Sequence, residues 1–219
     1  NMIEFSFGFY NPSNGNQIDP YTSAGLAELI YVQQTLGYTI NQIIGFGAQN
    51  VENARITGVE LSFNSMGKIG EVEVVSLIGY TYMNPVSLNN EPKYSVYNSD
   101  STTNMLKYRF KHLVRADIEA VYKKWSFGVS NRYNSFMRNI DKVFEEPIAQ
   151  NTYILPGLKA YRSVYNKGNL VFDARVGYQI NDTFKVSLIA NNVFNSETSS
   201  RPGDIQAPRN FLVQLAMKF

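Results

Sequence analysis

Residues 114–132 have the sequence Val114-Arg-Ala-Asp-Ile-Glu-Ala-Val-Tyr-Lys-Lys-Trp-Ser-Phe-Gly-Val-Ser-Asn-Arg132. Apolar side chains take every second position up to Tyr122, and charged side chains take most of the positions between them. The alternation resumes at Trp125 after only two lysines. Because successive side chains of a β-strand point to opposite faces, this pattern predicts a hairpin with one apolar and one charged face.

The alternation recurs in eight segments and predicts an all-β, antiparallel protein. The segments are residues 2–10, 54–63, 71–83, 107–122, 125–137, 170–179, 183–192 and 211–219. Connections after the second, fourth and sixth segments are short, whereas the others are long and rich in Asn, Ser, Pro and Gly. Long and short connections therefore lie at opposite edges of the sheet, which is typical of outer-membrane barrels with tight periplasmic turns and long extracellular loops.

The composition agrees with strands that meet a membrane. Only 17% of the 219 residues are charged, below the roughly 25% typical of soluble domains, whereas 14% are aromatic. No apolar run reaches the length of about 18 residues that a membrane-spanning helix needs. The absence of cysteine excludes disulfides and cysteine-based metal sites, and a net charge of +2 gives no reason to expect nucleic acid as a partner.

Two features favour a membrane over a β-sandwich. Aromatic residues of the apolar faces stand next to the short turns, where they would form a periplasmic girdle at the membrane–water interface. The girdle residues are Phe63, Tyr122, Trp125, Tyr178 and Phe184. The polar faces also carry more charges than a sandwich core tolerates, whereas a barrel lumen accepts them. A sandwich whose charged face meets water is the alternative.

Three charged residues are the candidates for the lumen of such a barrel. Arg115, Asp117 and Glu119 alternate along one predicted strand, so their side chains share its polar face. We expect them to form salt bridges with neighbouring strands or with a plug inside the barrel, and contact with a passing solute is the alternative interpretation.

The long connection 11–53 contains a predicted helix at residues 22–36. Thr22 is a suitable N-cap residue, and Leu26, Leu29 and Ile30 lie along one side of the helix. We expect this apolar stripe to pack against neighbouring loops.

A catalytic site is not expected. The one histidine, His112, lies on the apolar side of its strand, where a place in the barrel wall explains it better than a role as base or ligand. No phosphate-binding loop, catalytic triad or zinc motif occurs. The carboxylates at Glu145 and Glu146 and in segments 11–19 and 98–100 lack the fixed spacing of a cation site. The sequence therefore predicts neither an enzyme nor a cofactor nor a metal site.

The end of the sequence, Phe211-Leu-Val-Gln-Leu-Ala-Met-Lys-Phe219, resembles the terminal signal that the barrel-assembly machinery reads in outer-membrane proteins. In that signal a final aromatic residue follows apolar residues at every second position. The resemblance implies that Phe219, Met217 and Leu215 form the signal.

Three further stretches resemble the C-terminal region of TonB-dependent receptors, in particular the SusC-like branch. They are Asn53-Ala-Arg-Ile-Thr-Gly-Val-Glu-Leu-Ser-Phe63, Val186-Ser-Leu-Ile-Ala-Asn-Asn-Val-Phe-Asn195 and Arg201-Pro-Gly-Asp-Ile-Gln-Ala-Pro-Arg-Asn-Phe211. In the first stretch, the resemblance implies that Gly58 and Glu60 face the lumen.

The resemblance implies that residues 1–219 are the C-terminal part of a transmembrane barrel of about 22 strands, with the plug domain and earlier strands outside this sequence. It further implies active uptake of a nutrient across the outer membrane, in which this chain supplies barrel wall and extracellular loops. The implied partners are outer-membrane lipid, the remainder of the barrel and plug, TonB acting through the plug, and a SusD-like surface lipoprotein.

The alternative function is that of a self-contained eight-stranded barrel with a structural or adhesive role. A small barrel must pair its first strand with its last, because an open edge leaves backbone groups unpaired in lipid. In a receptor, both strands would pair with strands outside this sequence. We expect the open arc, with no ladder between residues 2–10 and 211–219.

Overall fold

The computed structural model describes residues 2–51, 53–88, 98–148 and 152–218. The chain divides into two compact units. Unit 1 contains Asn1–Ile56, Pro85–Arg109 and Arg138–Asn166, and unit 2 contains Thr57–Asn84, Phe110–Met137 and Lys167–Phe219. Unit 1 therefore consists largely of predicted long connections, whereas unit 2 contains most of the predicted strands.

In its described residues, unit 1 has a three-stranded antiparallel sheet in which β1 (Met2–Tyr10) lies between β2 (Gln17–Ile18) and β3 (Ile44–Val51). Its helical segments are α1 (Ser23–Gln34), α2 (Ile40–Ile43), a 3₁₀ turn (Lys142–Phe144) and α3 (Leu158–Val164). The side-chain oxygen of Thr22 accepts a hydrogen bond from the Gly25 N–H at 3.1 Å, so the predicted capped helix is confirmed. Among the described residues, no helix has the length and apolar character needed to cross a bilayer.

Apolar side chains from all three segments of unit 1 form its core. Phe9, Leu29, Met105 and Ile140 come from different parts of the sequence, and each is at most 2% exposed. Because burial of apolar side chains is the dominant favourable term in folding, these connections form a folded unit rather than separate loops.

β3 lies in a region that the sequence assigns to a loop. Gly45 and Gly47 occupy alternate positions of this strand, and glycine weakens a strand and hides its alternation. The ring of Tyr10 covers both glycines, and a Cβ on Gly47 would lie 2.1 Å from Tyr10 Oη. The first predicted strand therefore pairs with β2 and β3, which corrects the expectation that its neighbour lies outside this sequence.

Seven antiparallel strands of the described residues form a second sheet, in the order β10-β9-β8-β7-β6-β5-β4. They are β4 (Ala54–Ile69), β5 (Val72–Ser87), β6 (His112–Tyr122), β7 (Trp125–Asn134), β8 (Asn169–Gln179), β9 (Phe184–Asn191) and β10 (Asn210–Met217). Seven of the eight predicted strands are thus confirmed in one sheet, and the first belongs to the other sheet. Within the described ranges no ladder joins β1 to β10, so the sheet is an open arc as expected.

The register of this sheet keeps the two kinds of face separate from strand to strand. Ile118 of β6 stands directly opposite Val129 of β7, which stands opposite Ala174 of β8. One residue along, Asp117 stands opposite Ser130. The apolar face remains uncovered by described residues of the sheet, with Val129 39%, Leu188 48% and Val213 76% exposed. An apolar face of this extent is the feature that a barrel presents to lipid.

Several strand boundaries differ from those predicted, and the largest differences are at the end of β4 and at the start of β6. β4 continues to Ile69 and turns at Gly70, whose φ of 62° suits glycine, whereas the sequence places a turn from residue 64 onwards. β6 begins at His112 rather than at Lys107, because Tyr108 has a φ of 57° and interrupts the extended chain.

Candidate functional site on the polar face of the sheet

The polar face in unit 2 carries an ion network centred on Arg175 of β8. Its guanidinium donates two hydrogen bonds of 2.8 Å to Asp117, from Nη1 to Oδ2 and from Nη2 to Oδ1. It also donates to Glu119 Oε2, at 2.8 Å from Nη2 and at 3.1 Å from Nε. Ser130 accepts from Arg175 Nη1 at 3.1 Å and donates to Asp117. Two of the predicted lumen-facing residues therefore share one cation.

Arg175 reaches these carboxylates across Gly128. Glu119, Gly128 and Arg175 occupy directly opposed positions on three neighbouring strands. A Cβ on Gly128 would lie 2.3 Å from Arg175 Nε, so a larger residue would displace the guanidinium. The charged side chains are between 29% and 39% exposed, so water screens their attraction. The network therefore orders the polar face more than it stabilises the fold.

Arg115, the third predicted residue, lies apart from this network. Its directly opposed neighbours are Gly79 on β5 and Arg132 on β7, and it makes no hydrogen bond or ion pair with a described residue. Nη2 of Arg132 lies 3.5 Å from Asp173 Oδ2. Arg115 and Arg132 border a recess of about 490 Å³. Its lining is mainly amide and hydroxyl groups, including Asn134, Asn169, Asn191, Asn192, Ser200 and Gln206.

Most of the predicted girdle lies at one edge of the sheet. Tyr122, Trp125 and Tyr178 occupy directly opposed positions on β6, β7 and β8, and the ring centroids of Trp125 and Tyr178 are 4.7 Å apart. Phe184 begins β9 at the same edge. Phe63 lies well before the end of β4, because that strand continues past the predicted turn. The girdle remains a prediction, and four of its five residues have suitable positions.

The predicted assembly signal is described in part. Leu215 and Met217 lie on the apolar face of β10, 66% and 46% exposed, opposite Val186 and Phe184 of β9. Phe219 lies outside the described residues. The signal therefore remains a prediction from resemblance.

His112 lies at the beginning of β6 among aromatic side chains. Its Nδ1 is 2.9 Å from Tyr80 Oη, and its ring centroid is 5.2 Å from that of Tyr82. These contacts agree with a histidine of the barrel wall. Across the part of the chain that the structure describes, no three His, Asp or Glu side chains are grouped closely enough to hold a metal ion.

Unit 1 contains a buried ion pair that the alternation does not reveal. Lys107 Nζ donates to Asp141 Oδ1, and the two side chains are only 7% and 4% exposed. Tyr108 Oη donates to Asp141 Oδ2 at 2.5 Å, and the Phe7 N–H donates to the same oxygen at 3.3 Å. Asp141 therefore links the three segments of unit 1. The sequence places Lys107 and Tyr108 in a strand, so only a knowledge of the tertiary fold could identify this contact.

Asp100 organises the polar segment next to that ion pair. It accepts hydrogen bonds from the Thr102 N–H at 2.9 Å and from Thr103 Oγ1 at 3.0 Å, and Arg138 Nε lies 3.4 Å away. Burial acts to raise the pKa of this carboxyl, but hydrogen bonds from the two threonines and the charge of Arg138 outweigh burial and hold the pKa below its usual range. Asp100 is therefore an ionised structural group.

Comparisons with known proteins agree with this architecture. The family model described as TonB-dependent receptor-like, beta-barrel, matches residues 6–193. The crystal structure of the ferric-catecholate import receptor Fiu from E. coli K12, in its closed form, is similar with a TM-score of 0.55 and 19% sequence identity. The similarity covers 83% of this chain and 23% of that chain, so this chain spans about a quarter of that receptor. No curated protein sequence matches the chain. The predicted fold class, an antiparallel open arc that corresponds to part of a larger barrel, is confirmed.

Proposed function

The chain belongs to the TonB-dependent receptor-like β-barrel family, and from this membership we propose that it is part of a transporter that takes up a nutrient across the outer membrane with energy supplied through TonB. The observation that carries the proposal is the family match over residues 6–193. Barrels of this family lie in the outer membrane and are not enzymes, so the predicted location and the prediction that the chain is not an enzyme are confirmed.

In this proposal each face of the sheet has a distinct role. The apolar face contacts lipid, the polar face lines the lumen, and the long connections are extracellular. The chain thus contributes wall and solute-binding groups but no chemistry. The remainder of the barrel and the plug, which couples to TonB, belong to further polypeptide. A self-closed barrel of eight strands is not favoured, because β1 lies between β2 and β3 and no ladder among the described residues joins it to β10.

We also propose that the protein belongs to the SusC-like branch and associates with a SusD-like surface lipoprotein. The support is the resemblance of residues 53–63, 186–195 and 201–211 to that branch. The test is affinity purification of the protein from outer membranes in mild detergent. Co-purification of a surface lipoprotein in equal amount is expected, and purification of the barrel alone would contradict the assignment.

Growth on a panel of scarce nutrients tests the uptake function. The comparison is among parent cells, cells that lack this protein and cells that lack TonB. We expect at least one nutrient to support growth of the parent alone. The control is the amount of the protein in the outer membrane of the TonB-deficient cells, which should equal that of the parent. Growth that requires this protein but not TonB would contradict active transport.

A further inference from the structure

We propose that Arg115 and Arg132 bind an oxyanion group of the transported solute, a carboxylate or a phosphate, in the recess that they border. The inference rests on the proposed uptake function and adds the chemical class of the solute. It follows from the charges of these two residues, from what surrounds them and from their position on the sheet.

Arg115 and Arg132 occupy directly opposed positions on the neighbouring strands β6 and β7. Side chains in such positions start about 5 Å apart, and like charges there repel each other. Arg115 has Gly79 as its other neighbour, which offers no side-chain acceptor, and Arg132 has Val171. Among the described residues the pair has one ion-pair partner, Asp173, which lies beside Arg132 only. An oxyanion between the two groups would convert their repulsion into two attractions.

Arg175, on the same face, shows the acceptors that surround an arginine with a structural role. Arg175 donates hydrogen bonds to both Asp117 and Glu119 at distances from 2.8 to 3.1 Å. Arg132 has Asp173 at 3.5 Å, and the other oxygen of that carboxylate accepts from the Asn192 N–H at 2.7 Å. Arg115 and Arg132 thus retain most of their donors for a ligand, and the planar fork of arginine matches carboxylate and phosphate oxygens.

The recess has the size and lining of a site for a small polar solute. Its volume of about 490 Å³ lies within the range of ligand sites. Two arginines and one aspartate line it, so its charge is positive, and amide and hydroxyl groups surround the charges. Asn134, Asn169, Asn191 and Asn210 stand at the strand ends from which the long connections leave. In an outer-membrane barrel that edge is the extracellular one, where a solute enters.

A carboxylate of the plug is the competing occupant of the arginine pair. We infer the solute because the amide and hydroxyl lining extends well beyond what a single side-chain carboxylate would use. The two occupants predict opposite results in purified protein, since a plug carboxylate would already neutralise the pair.

The test is calorimetric titration of the full-length protein, purified in detergent at low chloride concentration, with inorganic phosphate and separately with citrate. The variants are Arg115→Gln and Arg132→Gln, and the matched control is Arg55→Gln, an exposed arginine of β4 that does not line the recess. Heat-modifiable migration on gels checks that every variant is folded.

We expect the parent protein to bind at least one of the two anions, which identifies phosphate or carboxylate as the preferred group. Each recess variant should weaken that binding by about tenfold, since a charge-assisted hydrogen bond supports a change of that size. The control should bind as the parent does. Absence of binding in the parent, or equal affinity in all variants, would overturn the proposal. Because the titration needs neither TonB nor energy, its failure is distinct from failure of the uptake test.

Discussion

Arg175 and Arg115 lie on the same face of one sheet, yet each has different surroundings because of the residue beside it. Gly128 leaves room for Arg175 to lie across β7 and reach two carboxylates. Gly79 has no side chain that could cover Arg115. A Cβ placed on Gly79 would have no other atom within 4 Å. The missing side chains thus determine which arginine is structural and which is open to solvent.

Substitution of these two glycines tests this difference. Gly128→Ala should displace Arg175 and lower the free energy of unfolding by about 1 kcal/mol, because a partly exposed ion network contributes little more. Gly79→Ala is the matched control and should be neutral or slightly stabilising, since alanine restricts the unfolded chain. Urea unfolding of the protein in lipid vesicles measures both. Equal effects would show that Arg175 does not need the glycine.

The buried pair in unit 1 provides a second test at the scale of single residues. Asp141→Ala should lower the free energy of unfolding of unit 1 by about 3–5 kcal/mol, because it removes the carboxylate that neutralises the buried Lys107 charge. The double variant Lys107→Met, Asp141→Leu removes both charges and should recover part of the loss, because Tyr108 Oη and the Phe7 N–H still lose this acceptor. Hydrogen exchange of the α1 amides provides the measurement. A double variant as unstable as the single one would assign the effect to lost packing.

The sequence identifies single residues well only where alternation applies. It places Asp117, Glu119 and Arg175 on one face, because side-chain direction follows from strand parity. It does not predict that Arg175 crosses Gly128, and it misplaces Lys107. Both depend on distances between segments that are far apart in the sequence.

At the scale of elements, each strand of the large sheet is defined by the difference between its faces. The test uses two neighbours on β5, Leu77 on the polar face and Ile78 on the apolar face, which are 52% and 39% exposed. Ile78→Arg should lower the free energy of unfolding into lipid by about 2–4 kcal/mol, because it places a charge in hydrocarbon. Leu77→Arg should change little, since residue 77 lies opposite Asp117.

Folding titration of the two variants into lipid vesicles gives the comparison. The residues are adjacent, similar in size and similar in exposure, so orientation is the main difference between them. Equal losses of stability in both variants would refute the assignment of the faces.

Strand positions can be predicted from the sequence where apolar and polar residues alternate. The prediction fails where glycines or a residue with left-handed backbone geometry interrupt that alternation. β3 is missed because Gly45 and Gly47 give no apolar signal. β6 starts late because Tyr108 has a positive φ, which a tyrosine rarely adopts without tertiary contacts. Its hydroxyl group makes such a contact with Asp141. These exceptions arise from packing, which alternation does not encode.

At the scale of the whole molecule, we expect the predicted signal at Leu215, Met217 and Phe219 to affect assembly rather than stability. By resemblance to the terminal signal of barrels, deletion of Phe219 should lower the amount of protein in the outer membrane and leave refolding in detergent nearly unchanged. Phe211→Ala, near the beginning of β10 and 68% exposed, is the control and should assemble normally. Normal membrane levels of the deletion variant would contradict the signal.

The fold class could be predicted from the sequence. The division of the chain into two units could not. The antiparallel membrane sheet follows from strand alternation and from the placement of long and short connections, whereas the open arc follows from the resemblance to TonB-dependent receptors. The folded character of unit 1 does not, because its core combines Phe9, Leu29, Met105 and Ile140 from three separate segments. Alternation does not indicate that these separate segments pack together.

That shared core has a consequence for recognition by the immune system. The surface of unit 1 exists only while its three segments pack together, so its epitopes are conformational. A synthetic peptide that copies one segment lacks this surface. Antisera raised against such peptides should therefore stain the denatured protein on a blot and fail to label intact bacteria, whereas a vaccine antigen would need to present the segments as one folded body.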